Sequence, residues 1–410
     1  MRILVVSQYF WPEQFLINEL VSDLVKDGHE VVVVTGEPNY PNGIIYPDFI
    51  ASKDNYNEYN GAKIYRSSLV PRGKGKFGLL LNYVSFMLSS SLNLYKLRKE
   101  EKFDVVFFFQ LSPIFSGLAA VLYKKINRVP LVTWVQDIWP ESLSATGQIT
   151  NRYALNVVGK FVDFIYKNSN VILIQSQKFR EAISERCDGS LNVQYLPNWA
   201  DKIFSNHENP DADFYNKIPG VFDFVFAGNV GDAQDFDTII DAVLRIKDVE
   251  GFRLVVVGDG RAKEGALKKI ENLGLNERFL FLGAHAIKFM PSVFLKSDVL
   301  LVSLLDNEIF SNTIPSKVQA YLASGRPILA SLSGAGADVI LESGAGLISE
   351  PGNSNMLSDN IVKFLHIQNT ELARMGESGR NFYKNNFDKN ILIKKLECIL
   401  KSEVERNPYS

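Results

Sequence analysis

Cysteine is almost missing from this 410-residue chain: Cys187 and Cys398 are too few and too far apart for a disulfide framework or a thiolate metal site. Histidine is as scarce. His29, His207, His285 and His366 stand singly, with no pair spaced to place two imidazoles on one helix face. Asp211 and Asp213 come nearest to a pair of acidic ligands, but they fall in a turn-rich stretch away from any strand end, so no metal site is expected. A basic excess is also lacking. With 44 Lys+Arg against 46 Asp+Glu the formal net charge is −2, which offers nucleic acid no footing. No Gly-x-Gly-x-x-Gly follows the first apolar run, so the dinucleotide fingerprint of dehydrogenases is absent. Nor is any long apolar run unbroken. The best, 77–95, is interrupted by Asn82, Asn93 and several serines, whereas a membrane span needs about 20 predominantly apolar residues. Residues 2–7 read as a strand at once, which leaves no space for a signal peptide and leads us to expect the cytoplasm.

What the chain has in abundance is short apolar runs separated by helical patterns. Residues 2–7, 30–35, 105–109, 131–135 and 170–175 are near-continuous runs, as expected for strands buried on both faces of a parallel, doubly wound α/β sheet. The rhythm restarts at 223–227, 252–257, 279–282, 299–302 and 327–330, which predicts a second sheet of the same kind. The expected organisation is a domain over 1–195, a linker over 196–219, a second domain over 220–381, and a closing helix with a frayed tail over 382–410. Residues 77–95 read as a helix that is either core or surface-seeking, since Arg72, Lys74 and Lys76 precede it and Lys96, Arg98 and Lys99 follow.

The most informative stretch is 312–327. It follows an apolar strand and opens directly onto a helix, with Pro315 where a first-turn proline belongs and Gly325 where a helix stops. Open N–H groups and the positive end of the helix dipole suit a phosphate-bearing ligand, and Ser316 and Lys317 add a hydroxyl and a mobile charge. Three glycine turns end neighbouring strands: Gly228 to Gly231, Gly258 to Gly260, and Gly283 to His285. Each alone is ordinary; their joint placement at successive strand ends points to one ligand.

Gly228, Asn229 and Gly231 with Gln234 and Asp237, then Gly258, Asp259 and Gly260, then Gly283, and finally Pro315, Ser316 and Lys317 ahead of Gly325 and Pro327 resemble the retaining glycosyltransferases of the GT-B fold. The branch they resemble is the large GT4 group that builds O-antigens, capsules and exopolysaccharides. In the first half, Gln8 to Glu13, Gly28 to Val31, Pro38 to Gly43 and Asp137 to Ser142 are similar to that branch as well.

The resemblance implies two Rossmann-like, doubly wound domains facing across a cleft, with a C-terminal crossover helix. It implies a hexosyltransferase that uses a nucleotide-sugar donor, by family habit a UDP-sugar, and requires no cofactor or metal. The backbones of Gly228 to Gly231 and of Ile314, Pro315 and Ser316 would face the diphosphate, with Lys317 assisting. Gly258, Asp259, Gly260, Gly283 and His285 would border the nucleoside. Tyr9, Trp11, Glu13, Asn39, Tyr40 and Asp137 would meet the acceptor, and Glu308 the donor sugar. Asp137 either orients acceptor or sugar or caps a loop; Glu13 either takes an acceptor hydroxyl or a neighbouring backbone N–H. The implied acceptor is a lipid-linked glycan, with peripheral contact at the inner face of a membrane through 72–99, and the sugar an N-acetylhexosamine or deoxy derivative. A UDP-sugar 2-epimerase or a non-catalytic partner subunit would share the architecture. The chain departs from the family pattern at Asn312 and Ala320, where many relatives carry paired glutamates, at Asn229 and Gln234, where they carry Arg and Lys, and at Gln136, where they carry His.

Overall fold

The computed structural model describes residues 1–408 apart from Lys74, 146–150, 187–190 and 206–210, so Lys74, Cys187 and His207 lie outside the described residues. The chain forms two compact units, Met1–Pro197 with Leu392–Ser410, and Asn198–Ile391. In the first, strands β1 (Arg2–Val6), β2 (Glu30–Gly36), β3 (Glu58–Tyr59), β4 (Ala62–Ser67), β5 (Val105–Gln110), β6 (Leu131–Val135), β7 (Val171–Ile174) and β8 (Val193–Tyr195) form one sheet. Their order is β3-β4-β2-β1-β5-β6-β7-β8, parallel except for the β3–β4 hairpin at one edge. In the second, β9 (Phe222–Ala227), β10 (Phe252–Val257), β11 (Phe279–Gly283), β12 (Val299–Ser303), β13 (Ile328–Ser331) and β14 (Gly346–Ser349) form a parallel sheet in the order β11-β10-β9-β12-β13-β14.

The continuous apolar runs are buried as their composition requires. All of β5 and β6 is interior, because crossover helices cover both faces of the sheet. Each such Val, Leu, Ile or Phe contributes about 1.5–3 kcal/mol relative to exposure. The strands that the apolar-run reading passes over are β3, β4, β8 and β14. β4 alternates buried and open positions, with Lys63 and Arg66 among them, so it never forms a run.

Topology then fixes where ligands go. Strand order reverses between β1 and β5 in the first unit and between β9 and β12 in the second. Crossovers to left and right put their helices on opposite faces, leaving a crevice at the carboxyl ends of those central strands. The chain ends of β9 and β12 carry Gly228 and the approach to Ser316; those of β1 and β5 carry Tyr9 to Glu13 and Ser112.

The expected closing helix is two helices. Asn369–Asn386 and Lys389–Glu405 are separated at Asp388, whose carboxylate accepts from the N–H groups of Asn390 (2.9 Å) and Ile391 (3.1 Å). From Leu392 onward the chain belongs to the first unit, where Glu397 meets His29 at 2.6 Å and the Lys395 ammonium donates to the Tyr195 carbonyl at 2.8 Å.

Candidate functional site

In the second unit the helix Ser316–Ser324 starts one residue after Pro315, which occupies the N-cap in an extended conformation, and stops at Gly325 with φ 70°. Proline supplies no capping side chain, so the first turn is left open to a ligand. A cavity of about 540 Å³ lies against this turn. Ser316, Lys317 and Ala320 form one wall; Gly228, Asn229, Gly258 and Asp259, from the ends of β9 and β10, form another. Trp199, Phe204, Met290 and Phe294 supply apolar surface.

Lys317 is the distinctive group. Its Nζ is enclosed and, among the described residues, has no hydrogen-bond or ion-pair partner. It lies 3.7 Å from the centroid of the Phe226 ring on β9. Burial pushes the ammonium down to about 7 from its usual 10.5, and the Phe226 face opposes that trend by attracting the cation. A buried lysine with nothing to neutralise it is costly unless an anion arrives. The stem explains the glycine beside it: Gly228 has φ 126°, and a Cβ there would stand 2.6 Å from Lys317 Cε.

The other glycines have protein neighbours as their steric reason. A Cβ on Gly258 would fall 1.8 Å from the Gly228 carbonyl oxygen, and one on Gly260 would fall 2.3 Å from that of Val230. The turns therefore nest against each other. Gln234 braces the same loop, its Oε1 accepting from the Gly231 N–H (3.0 Å) and from the Asn229 amide (3.2 Å), and it does not line the cavity. Asp259 accepts from the Gly260 N–H at 2.8 Å, which with Lys263 holds its carboxyl below the usual range. His285 lines the cavity, with its ring stacked on Phe214 (centroids 3.4 Å apart, planes 2° apart) and Nε2 2.9 Å from the Leu282 carbonyl. Gly283 ends β11 at φ 77°, and Ile314 is buried beneath the helix start.

Two residues escaped the sequence reading. Tyr321 is fully interior, its hydroxyl accepting from the Ala227 N–H (3.2 Å) and donating to the Leu301 carbonyl (3.3 Å), which ties the helix to the end of β9 and the middle of β12. Phe214 sits in the expected linker. A lone tyrosine in an apolar helix face and a lone phenylalanine in a polar stretch carry no pattern that would mark them.

Glu308 is exposed and opens a separate five-residue helix (Glu308–Asn312) capped by Asn307, outside the lining of this cavity.

In the first unit, Glu13 is 2% exposed, and its carboxylate accepts from the backbone N–H groups of Asn39 (2.8 Å), Tyr40 (2.7 Å) and Phe10 (3.4 Å). Burial raises its pKa, and those three donors resist the rise. Of the readings left open for Glu13, the backbone one describes it. Tyr9 and Asn39 are also interior; Trp11 and Tyr40 reach the surface, Trp11 against Tyr56 and Tyr40 beneath Arg72. Asp137 is half-buried at the end of β6, accepting from the Ser112 and Ser142 hydroxyls and from Trp139 Nε1 (3.3 Å). Glu13→Ala is expected to cost roughly 2–4 kcal/mol in urea unfolding, because three buried N–H groups lose their acceptor. Loss of less than about 1 kcal/mol would show that the 37–43 turn does not depend on it.

Among the described residues no cluster of three His, Cys, Asp or Glu could hold a metal ion. Asp211 is engaged by Lys296 at 2.8 Å.

Comparison with known proteins bears on the family and the fold. Residues 210–382 match the family described as Glycosyl transferases group 1, and residues 15–202 match Glycosyltransferase Family 4. WcaI of Escherichia coli, named for colanic acid biosynthesis glycosyl transfer, is 25% identical over 339 residues, covering 79% of this chain and 82% of that one. N-acetyl-alpha-D-glucosaminyl L-malate synthase of Bacillus anthracis is 20% identical over 389 residues, covering 93% and 91%. Among solved structures, a glycosyltransferase from Rickettsia africae superposes with a TM-score of 0.68 at 16% identity, over 99% of each chain. Alr3699/HepE of Anabaena, in complex with UDP and glucose, gives 0.63 at 17% identity, over 98% and 100%. With the two family matches lying on the two α/β units in turn, the chain belongs to the GT4-type glycosyltransferases of the GT-B fold.

Proposed function

We propose that this glycosyltransferase moves an N-acetylhexosamine or deoxy sugar from a UDP-sugar to a lipid-linked glycan in surface polysaccharide synthesis, with retention of configuration and with contact to the membrane through 72–99. The observation that carries the donor half is the Lys317 ammonium, without a partner among the described residues, beside the open helix start at Ser316, both on one cavity. That arrangement suits a diphosphate: one positive charge, one hydroxyl and free N–H groups in a partly desolvated pocket. The His285 ring on the same cavity, held flat by Phe214 behind it, suits a nucleobase. Support for UDP comes from the complexes of Alr3699/HepE with UDP and with UDP-glucose. Support for the polysaccharide and N-acetylhexosamine parts comes from the names of the Escherichia coli and Bacillus anthracis relatives.

The chemistry follows from the scarcity of strong bases near the site. The sugar C1–phosphate oxygen bond breaks, the acceptor oxygen bonds C1 on the same face, and the acceptor proton passes to the departing diphosphate oxygen. Lys317 and the helix start stabilise the charge that develops on that oxygen. Asp137, clamped by two serines, orients an acceptor hydroxyl or the sugar.

Titrating UDP, GDP and ADP while following the melting temperature tests the donor site, since a ligand that binds the native state stabilises it by mass action. A shift with UDP alone is expected, lost in Ser316→Trp and kept in Asp137→Asn. No shift with any nucleotide, or an equal shift in Ser316→Trp, would move the donor elsewhere. Product analysis with UDP-sugars then separates an extended glycan from a free sugar epimer.

A further inference from the structure

The helix Lys76–Leu97 is apolar on both faces. Tyr83, Phe86, Leu94 and Leu97 face the core, yet Leu80, Leu81, Val84, Leu88, Leu92 and Tyr95 are exposed, Leu88 by 56% and Leu92 by 63%. A surface helix of a water-facing domain has a polar outer side; one that is apolar all round is covered by something. No helix among the described residues is long and apolar enough to cross a membrane, so the cover lies alongside this helix.

Its neighbours repeat the anomaly. The crossovers β4 to β5, β5 to β6 and β6 to β7 all step the same way across the sheet, so the helices Lys76–Leu97, Gly117–Asn127 and Arg152–Lys167 share one face, each packed on the next. The second helix exposes Leu122 and Ile126. The third exposes Tyr153 (83%), Val157 (57%) and Phe164.

Charge identifies the occupant. The three helices hold seven Lys and Arg and a single acid, Asp163, which is ion-paired with Arg186 at 3.1 Å, in a chain whose net charge is −2. Lys96, Lys125, Arg152, Lys160 and Lys167 are exposed, and Lys125 lies over the outward Phe164 ring at 4.9 Å. The serines in the first helix add little polarity: Ser85, Ser90 and Ser91 each donate to a carbonyl of their own helix three or four residues back, at 3.0, 3.2 and 2.7 Å. A second copy of the chain would bring two basic faces together. A surface of apolar interior and negative headgroups answers both features at once.

We propose that the three helices form a single docking face that lies flat on an anionic bilayer, with the leucine row of the first helix and Tyr153 and Val157 of the third at the headgroup boundary. This deepens the membrane contact offered above for 72–99 by adding the second and third helices. It does not need the acceptor to be lipid-linked.

The test uses the full chain and vesicles free of any glycan lipid, either pure phosphatidylcholine or with roughly one third phosphatidylglycerol, read by co-sedimentation. The wild type is expected on the anionic vesicles and not on the neutral ones. Lys125→Gln, Lys160→Gln and Lys167→Gln should each weaken binding about fivefold. Leu88→Gln with Leu92→Gln should weaken it by tenfold or more. Because these positions are exposed, melting temperature and the nucleotide-induced shift should stay as in wild type. If the wild type does not bind anionic vesicles, the proposal fails. If the Lys160 and Lys167 variants bind as wild type, the face stops at the first helix and the proposal fails in that form. A wild-type dimer dissociated by the leucine substitutions would give the face to a second copy. Failure of the donor site would appear separately, as loss of the nucleotide shift in protein that still binds vesicles.

Discussion

Replacing Lys317 by methionine should make the ligand-free protein more stable and at the same time weaken nucleotide binding at least tenfold. Holding its pKa near 7 instead of 10.5 corresponds to a penalty on the order of 4 kcal/mol at neutral pH. Methionine keeps the length, fills the same space against Phe226 and carries no charge to bury. The gain is on the order of 4 kcal/mol, or roughly 8–16 °C in melting temperature for a unit of this size. The sign can be checked by pH. Between about 7 and 10.5 the unfolded chain holds this proton and the folded one does not, so wild-type stability should climb with pH across that window relative to Lys317→Met. Below 7 the penalty is present in full. Binding a diphosphate restores the charge, so calorimetry at pH 8 in buffers of different ionisation enthalpy should report proton uptake approaching one per nucleotide. Equal melting curves together with equal nucleotide affinity would remove Lys317 from the donor site.

Near the start of β9, away from Phe226, Asp223→Ala should cost about 3–5 kcal/mol, the loss expected when one partner of a buried ion pair is removed. Asp223 is fully interior at the start of β9. It accepts from Arg253 Nε (2.6 Å) and Nη2 (3.0 Å) and from the Tyr215 hydroxyl (2.7 Å). Alanine leaves a guanidinium and a phenol facing a vacated acceptor. The melting temperature of this unit should fall by about 10 °C. Asp223→Asn keeps an acceptor oxygen and should cost about half as much, while Asp223→Leu with Arg253→Leu should recover most of the loss, since no unpaired charge remains. Nucleotide affinity of the folded fraction should not change, because the cavity lies at the far end of β9. A loss under about 1 kcal/mol for Asp223→Ala would mean that water replaces the carboxylate and that the pair does not anchor the sheet.

These two positions show how unevenly the sequence discloses its roles. Lys317 could be named as a candidate because Pro315, Ser316 and Gly325 mark a helix start and stop on either side of it. Asp223, in a strand of phenylalanines and valines, gave no sign that Arg253 and Tyr215 would meet it. Glu308 lies near Ser316 in sequence, and the short helix that Asn307 caps there is not foretold by that nearness. Glu13 lies in a recognisable family stretch, yet its distances to Asn39 and Tyr40 depend on a turn 26 residues on.

Alone, then, the sequence determined that two largely parallel sheets form from alternating strands and helices, where the three glycine turns fall, and that a helix starts near Pro315 and Ser316. Those features are local: apolar runs bury on both faces, proline and glycine restrict or free single φ angles, and the period of the pattern sets the element. Only the tertiary structure decided that Lys317 has no partner among the described residues, that Gly258 must be glycine because Gly228 passes beside it, that Glu13 accepts from three backbone N–H groups, and that three separate helices expose apolar residues on one basic face. Each of these depends on the distance between segments tens of residues apart, and folding sets that distance by packing the whole sheet rather than by any short pattern in the chain.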